Sequence, residues 1–372
     1  MNKKYEKLFE TVTLPNGVEL KNRFVLAPLT HTSSNDDGTI SDVEIPYIEK
    51  RSKDVGLAIN AASNVNDIGK AFPGQPSVAH DSDIEGLKRL AQAMKKNGAK
   101  ALVQIHHGGA QALANLTPNG DVVAPSPITL KSFGQQHEHD AREITPEEIE
   151  QTIKDFGKAT RRVIEAGFDG VEIHGANHYL IHQFVSPYYN RRNDEWSDHM
   201  KFPTAVIDEV LKAKSEYASD DFIVGYRLSP EEAESPGISM EITEQLINTI
   251  TEKSIDYVHI SLGDIHSTTR EGKYAGQERL KLIHQGRIPV IGIGSVFTAD
   301  DALDAIKSTG VELVALGREI LLDYNFISKI QEGKEDEILS EFDPHREDKH
   351  ELPPNLWKQF NQGFYPLPRK DK

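Results

Sequence analysis

The sequence predicts an α/β chain folded as a (β/α)8 TIM barrel, with an N-terminal β-hairpin before it and a C-terminal extension after it. Three observations carry this. Eight short apolar runs recur along the chain, amphipathic stretches with helix start signals separate them, and polar residues gather at the C-terminal ends of the runs. The length of 372 residues suits one large barrel with additions.

In chain order, the hairpin comes first. Val12, Leu14, Val18 and Leu20 alternate with polar residues around Asn16-Gly17, a strong two-residue turn signal. It is expected to cover the bottom of the barrel. The eight strands are expected at residues 24–29, 57–63, 101–107, 170–176, 222–229, 257–263, 289–295 and 313–319. Their near-continuous apolar character is that of parallel strands buried on both faces. Between them, Asp83 opens a helix with Ile84, Leu87, Ala91 and Met94 on one face and Gly98 as its stop. Thr145-Pro146-Glu147-Glu148 is a capping box with proline at the first helical position, ahead of Ile149, Ile153 and Phe156. Thr298 opens the helix carrying Leu303 and Ile306. Two connections, 107–142 and 178–199, are long and should lie at the catalytic face. Residues 1–330 form one barrel unit. Residues 331–372, including Leu352-Pro353-Pro354 and Trp357, are an extension that caps the barrel or meets another subunit.

Composition excludes several classes. Forty-two basic and 58 acidic residues leave a net charge of −16, which repels phosphate backbones and anionic lipid, so neither nucleic acid nor membrane is an expected partner. No cysteine is present, which removes disulfides, thiolate metal sites, iron–sulfur clusters and thiol nucleophiles. The charged start MNKKYEKLFE is no secretory signal, and no apolar run reaches bilayer length, so a cytoplasmic protein is expected. Fifteen histidines raise the question of a metal. No HExxH motif occurs, His137-Glu138-His139 lies in a polar loop, and solvated histidines are expected rather than ligands.

The strand ends hold the candidate chemistry. Gly294-Ser295 and Gly317-Arg318 follow the last two strands, where barrels commonly hold a phosphate; glycine lets the backbone approach an anion and arginine grips it bidentately. The third glycine of a dinucleotide-binding GxGxxG is missing. Arg227 lies inside an apolar strand and must meet an anion, either a core carboxylate such as Glu172 or a negatively charged cofactor. His174 and Asn177 can both donate to one developing oxyanion, and Tyr179, with an ordinary pKa of about 10, carries a proton to give. Two donors and a proton source suit reduction of a carbon–carbon double bond conjugated to a carbonyl.

These residues resemble the Old Yellow Enzyme family of FMN-dependent ene-reductases. The resemblance rests on LKNRFVLAPLT at 20–30, VQIHHGG at 103–109, APSPI at 124–128 and GFDGVEIHGANHYLIHQF at 167–184, followed by Ser186-Pro187, Asn190-Arg191-Arg192, Gly294 and Gly317-Arg318. It covers residues 20–323. It implies non-covalent FMN at the barrel top, with Ala27, Pro28, Leu29, Thr30 and Ala61 along the flavin ring. It further implies Gln104 and Arg227 at the pyrimidine edge, and Gly294, Ser295, Gly317 and Arg318 on the phosphate. His174 and Asn177 would hold the substrate's carbonyl or nitro oxygen, His106 would shape the pocket, and Tyr179 would protonate. NADH or NADPH would be the reductant and an electrophilic alkene the substrate, in ping-pong order, within a homo-oligomer. His178 stands where the family commonly has glycine. Two other readings remain. A flavin-binding redox sensor without significant turnover would fit the divergent tail. A phosphate-binding lyase or isomerase would want a lysine or paired carboxylates at the strand ends, and no lysine is there.

Overall fold

The computed structural model describes residues 1–283, 286–363 and 367–370. The hairpin strands β1 (Val12–Thr13) and β2 (Glu19–Leu20) pair antiparallel, with Gly17 at φ +86° in the turn. The chain then runs through β3 (Phe24–Leu26), α1 (Glu44–Ser52), β4 (Leu57–Asn64), α2 (Ile84–Lys95) and β5 (Lys100–His106). An excursion of β6 (Val123–Ala124), β7 (Ile128–Leu130) and β8 (His139–Glu143) precedes α3 (Pro146–Glu165) and β9 (Gly170–Gly175). Then follow α4 (Leu180–Val185), α5 (Lys201–Tyr217), β10 (Ile223–Leu228), α6 (Met240–Ile250), β11 (Tyr257–Ile260) and α7 (Arg279–Ile283). The last units are β12 (Val290–Ile293), α8 (Ala299–Thr309), β13 (Leu313–Leu316), α9 (Arg318–Leu322), α10 (Phe326–Glu332), α11 (Glu347–His350) and α12 (Pro354–Asn361).

Eight strands close a barrel in the order β3-β4-β5-β9-β10-β11-β12-β13, and every pairing is parallel. Their C-terminal ends therefore open on one face, and the residues that the sequence places at strand ends share it. All eight expected strands form, mostly shorter at the C-terminal side. Residues such as Leu29, Ser229 and Gly263 leave the ladder there and turn toward the barrel mouth.

Period-two alternation sorts each strand into an inner and an outer face. The inner face packs Val25, Leu57, Ile59, Leu102, Ile223, Tyr257, Ile291 and Leu313 on Val12, Leu14, Val18 and Leu20 of the hairpin, which closes the bottom as expected. Gly225 makes room for Tyr257 in that core: a Cβ there would lie 2.0 Å from its ring. The outer face packs on the helices. Thr145 and Thr298 both form reciprocal capping boxes, with Glu148 and Asp301 as the returning carboxylates. Asp83 stands immediately before α2 as expected, although its side chain does not cap that helix. Its carboxylate accepts from Ser77 Oγ and the His80 backbone N–H, so the chain enters a 3-10 turn one step before α2.

The 107–142 connection is a three-stranded sheet in the order β6-β8-β7. Arg142 fastens it, donating to Asp121 Oδ2 at 2.7 Å and to Glu148 Oε1 at 2.6 Å. The C-terminal extension joins the main core through Phe342, Leu352, Leu356 and Phe360. Buried Arg51, 4.3 Å from the Tyr47 ring centre, donates to the backbone carbonyls of His350 and Glu351. Asn355 Nδ2 donates to Thr32 O at 3.1 Å, so the extension reaches the loop that leaves β3. Among the described residues, no helix is long and apolar enough to cross a membrane.

Candidate active site

The site grows from a buried carboxylate. Glu172 points inward from β9 and is fully buried. Gln104 Nε2 on β5 donates to its Oε1 at 2.7 Å, and Tyr257 Oη on β11 donates to its Oε2 at 3.0 Å. His259 Nδ1 lies 2.9 Å from the same Oε2. Burial opposes ionisation of Glu172, but His259, Arg227 and Gln104 outweigh it and hold the carboxyl below its ordinary value. An ionised carboxylate only accepts, so the shared proton sits on His259 Nδ1.

Arg227 stands above this network, in register with His174 across β9 and β10. Burial lowers its pKa while Glu172 opposes that, and a guanidinium stays cationic. Of the two partners left open by the sequence, Glu172 is the nearby charge, while the direct hydrogen bond goes to Ser261 Oγ at 3.0 Å. Ser261 Oγ in turn donates to Asn177 Oδ1 at 2.9 Å. With Oδ1 held by Ser261 and by Ser229 at 3.3 Å, the Asn177 amide N–H2 is the end left to donate. Arg227 Nε has no protein partner and is buried, which fits a polar acceptor of a bound group.

His174, His106 and Tyr179 meet edge to face and tilted. Tyr179 lies 5.1 Å from the His174 ring centre and 4.3 Å from that of His106, and the two histidines are 5.4 Å apart. Burial, with His106 and Arg227 adding to it, holds His174 well below its ordinary value, so its ring is neutral. Burial and His107 push His106 down to about 3. Burial raises the Tyr179 phenol to about 12. His174 Nδ1 has no protein partner. The expectation of solvated histidines is corrected here. His106 and His107 are buried in the barrel top, and His139 sits in β8 with Nε2 3.0 Å from Ala110 O.

The other end of the site is a cleft of about 290 Å3 beside β12 and β13, lined by Leu29, Gly263, Gly294, Ser295, Phe297, Gly317 and Arg318 among others. Gly294 has φ +132°, and a Cβ there would lie 2.7 Å from the Asp264 backbone N. Only glycine allows this close approach. Arg318 donates to Ser295 Oγ at 2.9 Å and to Gly263 O at 3.2 Å, and its guanidinium lies 5.1 Å from the Phe297 ring centre. Ala27 closes the β3–β13 seam by donating to Leu316 O at 3.1 Å. Ala61 lies at the register shift between Asn60 and Ser63 in β4, a bulge at the barrel mouth. Pro28 and Thr30 follow β3 on the same face.

The structure thus joins Gln104, Arg227, Asn177, His174, His106 and Tyr179 at one end, and Leu29, Gly294, Ser295, Gly317 and Arg318 at the other. Sequence reasoning missed Ser261, Gly263, Tyr257 and His259. The last two were signalled by alternation, since 257 and 259 share the inner face of β11. A buried arginine with an unpartnered Nε at one end and a glycine-lined cradle with an arginine at the other suit a flavin mononucleotide lying between them.

Comparison with known proteins agrees. A sequence profile of the NADH:flavin oxidoreductase / NADH oxidase family matches residues 7–337. The chain is 50% identical to a protein of Bacillus subtilis named "Probable NADH-dependent flavin oxidoreductase YqiG", over 98% of this chain and 99% of that one. It is 38% identical to the NADH:fumarate oxidoreductase of Klebsiella pneumoniae over 95% of its own length, but spans only 39% of that longer protein. The Old Yellow Enzyme homologue of Zymomonas mobilis has the same fold, with a TM-score of 0.79 at 21% identity, covering 95% of this chain and 99% of that one.

Proposed function

The chain belongs to the NADH:flavin oxidoreductase / NADH oxidase family, whose flavin is FMN and whose reductant is NADH or NADPH, and from that premise we propose that it reduces activated carbon–carbon double bonds. The substrates would be α,β-unsaturated carbonyl or nitro compounds. The observation that carries this is the placement of the Tyr179 phenol against His174, beside the Arg227–Ser261–Asn177 chain of hydrogen bonds.

Arg227 and Arg318 would hold FMN between them, and the flavin would supply hydride chemistry linking NADH or NADPH to the β-carbon of the alkene. Arg227 would hold the pyrimidine edge, where its positive charge would favour electron uptake by the flavin. Gly294, Ser295, Gly317 and Arg318 would hold the phosphate, and residues 27–30 with Ala61 would flank the ring. The His174 ring and the Asn177 amide donate to the substrate oxygen, drawing charge off the alkene and fixing its orientation. Tyr179 Oη gives its proton to the α-carbon as the β-carbon is filled. The Klebsiella relative is named for fumarate, an alkene conjugated to carboxylates, which supports this substrate class.

Anaerobic titration tests the reading. The purified yellow protein should bleach with NADH or NADPH and regain colour on adding cyclohexenone. Bleaching that no enone reverses would leave an NAD(P)H-oxidising flavoprotein that passes electrons elsewhere. A colourless protein that takes up no FMN would sink the proposal.

A further inference from the structure

Next to Tyr179, outside the proposed reaction path, lies a second cluster. Glu232, on the segment after β10, is fully buried, as is His182 on α4. Its Oε1 is occupied, accepting from Ser186 Oγ and from the Ile238 backbone N–H at 2.8 Å. Its Oε2 is thereby aimed at two imidazoles: His182 Nε2 at 2.7 Å and His178 Nδ1 at 3.7 Å. Glu234 Oε2 stands 4.0 Å from His178 Nδ1 on the other side. The His178 and His182 ring centres are 4.7 Å apart.

Two features distinguish this cluster from an ordinary hydrogen-bonded group. His178 Nδ1 and Glu234 Oε2 are buried atoms with no hydrogen-bond partner, yet they face each other and Glu232 across a gap too long for a bond. His178 also holds φ +60°, a left-handed conformation that costs a β-carbon-bearing residue energy, and Gln183 Nε2 pins it by donating to His178 O at 2.6 Å. That backbone turns the imidazole inward to the carboxylates. One ligand atom each from His178, His182 and Glu232 lies within 4.8 Å of the others.

We propose that His178, His182 and Glu232, with Glu234 at the open side, form a binding site for a divalent first-row transition ion such as Zn2+. Two imidazoles and a carboxylate with further positions open are a donor set that such ions accept. The Ser186 and Ile238 bonds to Oε1 orient the carboxylate as outer-shell partners of metal ligands do. Binding replaces the proton between His182 and Glu232, which leaves to solvent, and draws His178 in by the remaining gap. The expectation of no metal rested on motifs within one segment. This set comes from two segments about 50 residues apart, which no spacing rule reports. The ion would tie the turn after β9, which carries Tyr179, to the segment after β10.

The test uses tag-free holoprotein stripped with chelator and titrated with Zn2+, read by calorimetry and bound-metal analysis, with thermal unfolding in parallel. His178→Gly is the informative variant, because glycine is at ease at φ +60° and keeps the fold. The wild type should take one Zn2+ per chain and unfold at a higher temperature with it, while His178→Gly should bind roughly tenfold more weakly or worse. Absence of a saturable one-to-one site in the wild type, or equal binding in His178→Gly, overturns the proposal.

Discussion

Two buried glutamates stand at the two ends of the proposed flavin site, and they are handled in opposite ways. Glu172, at the Arg227 end, is met by Gln104, Tyr257 and His259 and stays ionised. Glu319, the residue after Arg318 in the first turn of α9, has no partner for either oxygen. Burial, with Asp323 adding to it, pushes its carboxyl up to about 10, so it stays protonated. One end therefore keeps a negative charge locked into a complete internal network that positions a cation. The other end suppresses negative charge beside the arginine proposed to meet phosphate. At the first end the carboxylate is fully partnered by protein and Arg227 Nε is left for a ligand, whereas the second is a cradle of backbone and one guanidinium that a ligand completes.

Breaking the finished network should have the largest effect. Glu172→Ala leaves Gln104, Tyr257 and His259 without their shared acceptor in the core and Arg227 without its nearby counter-charge, and should cost about 3–5 kcal/mol in urea unfolding. Tyr179→Phe lies at the same end but outside that network. It should lower enone turnover by about a hundredfold or more while leaving stability and bleaching by NAD(P)H almost unchanged. Unchanged turnover would place the proton donor elsewhere.

Arg318→Ala probes the open end. Its bonds go to Ser295 and Gly263 at a partly exposed surface, so it should weaken FMN binding by roughly tenfold to a hundredfold with under about 1 kcal/mol of lost stability. A large stability loss with unchanged FMN affinity would reverse the contrast between the two ends.

The smallest effect is a slope. Glu319 has a folded pKa raised above its unfolded value, so the folded state holds a proton that the unfolded state releases. Its contribution is fully present below about pH 4.5 and declines as pH rises toward about 10. Asp323, Asp301 and Lys329 face it, and only the lysine opposes the shift. Glu319→Gln should therefore stabilise relative to wild type at about pH 8, by an amount that shrinks to nearly nothing at about pH 4.5. Parallel stability–pH curves for variant and wild type would show that Glu319 is ionised in the fold.

The barrel was legible because its signals are local. Apolar runs of strand length mark β3 to β5 and β9 to β13, Asn16-Gly17 marks the hairpin, and Thr145 and Thr298 mark helix starts. The small sheet of β6, β7 and β8 was not legible. Its strands have two to five residues, and β8 reads HDARE, polar on both faces in sequence although Ala141 is buried. The site was half legible: Arg227 stood out as a charge in an apolar strand and Gly294 as a turn. Ser261 carries no such mark. It matters because the parallel neighbours β10 and β11 bring it to Arg227, and a serine after a strand looks like any loop residue. Glu232 and Glu234 likewise carry no mark in the sequence; the fold brings them to His178 and His182.

The bond from Asn355 to Thr32 has a consequence for the order of events during synthesis. It spans 323 positions of sequence, so one wall of the barrel mouth is translated long before this brace to it. The loop after β3 must wait without this bond, held by its own contacts and by Gly74 and Glu44, while the other seven strands emerge and close. Until residue 355 emerges, the eight barrel strands can be complete while this contact to the mouth is still unmade.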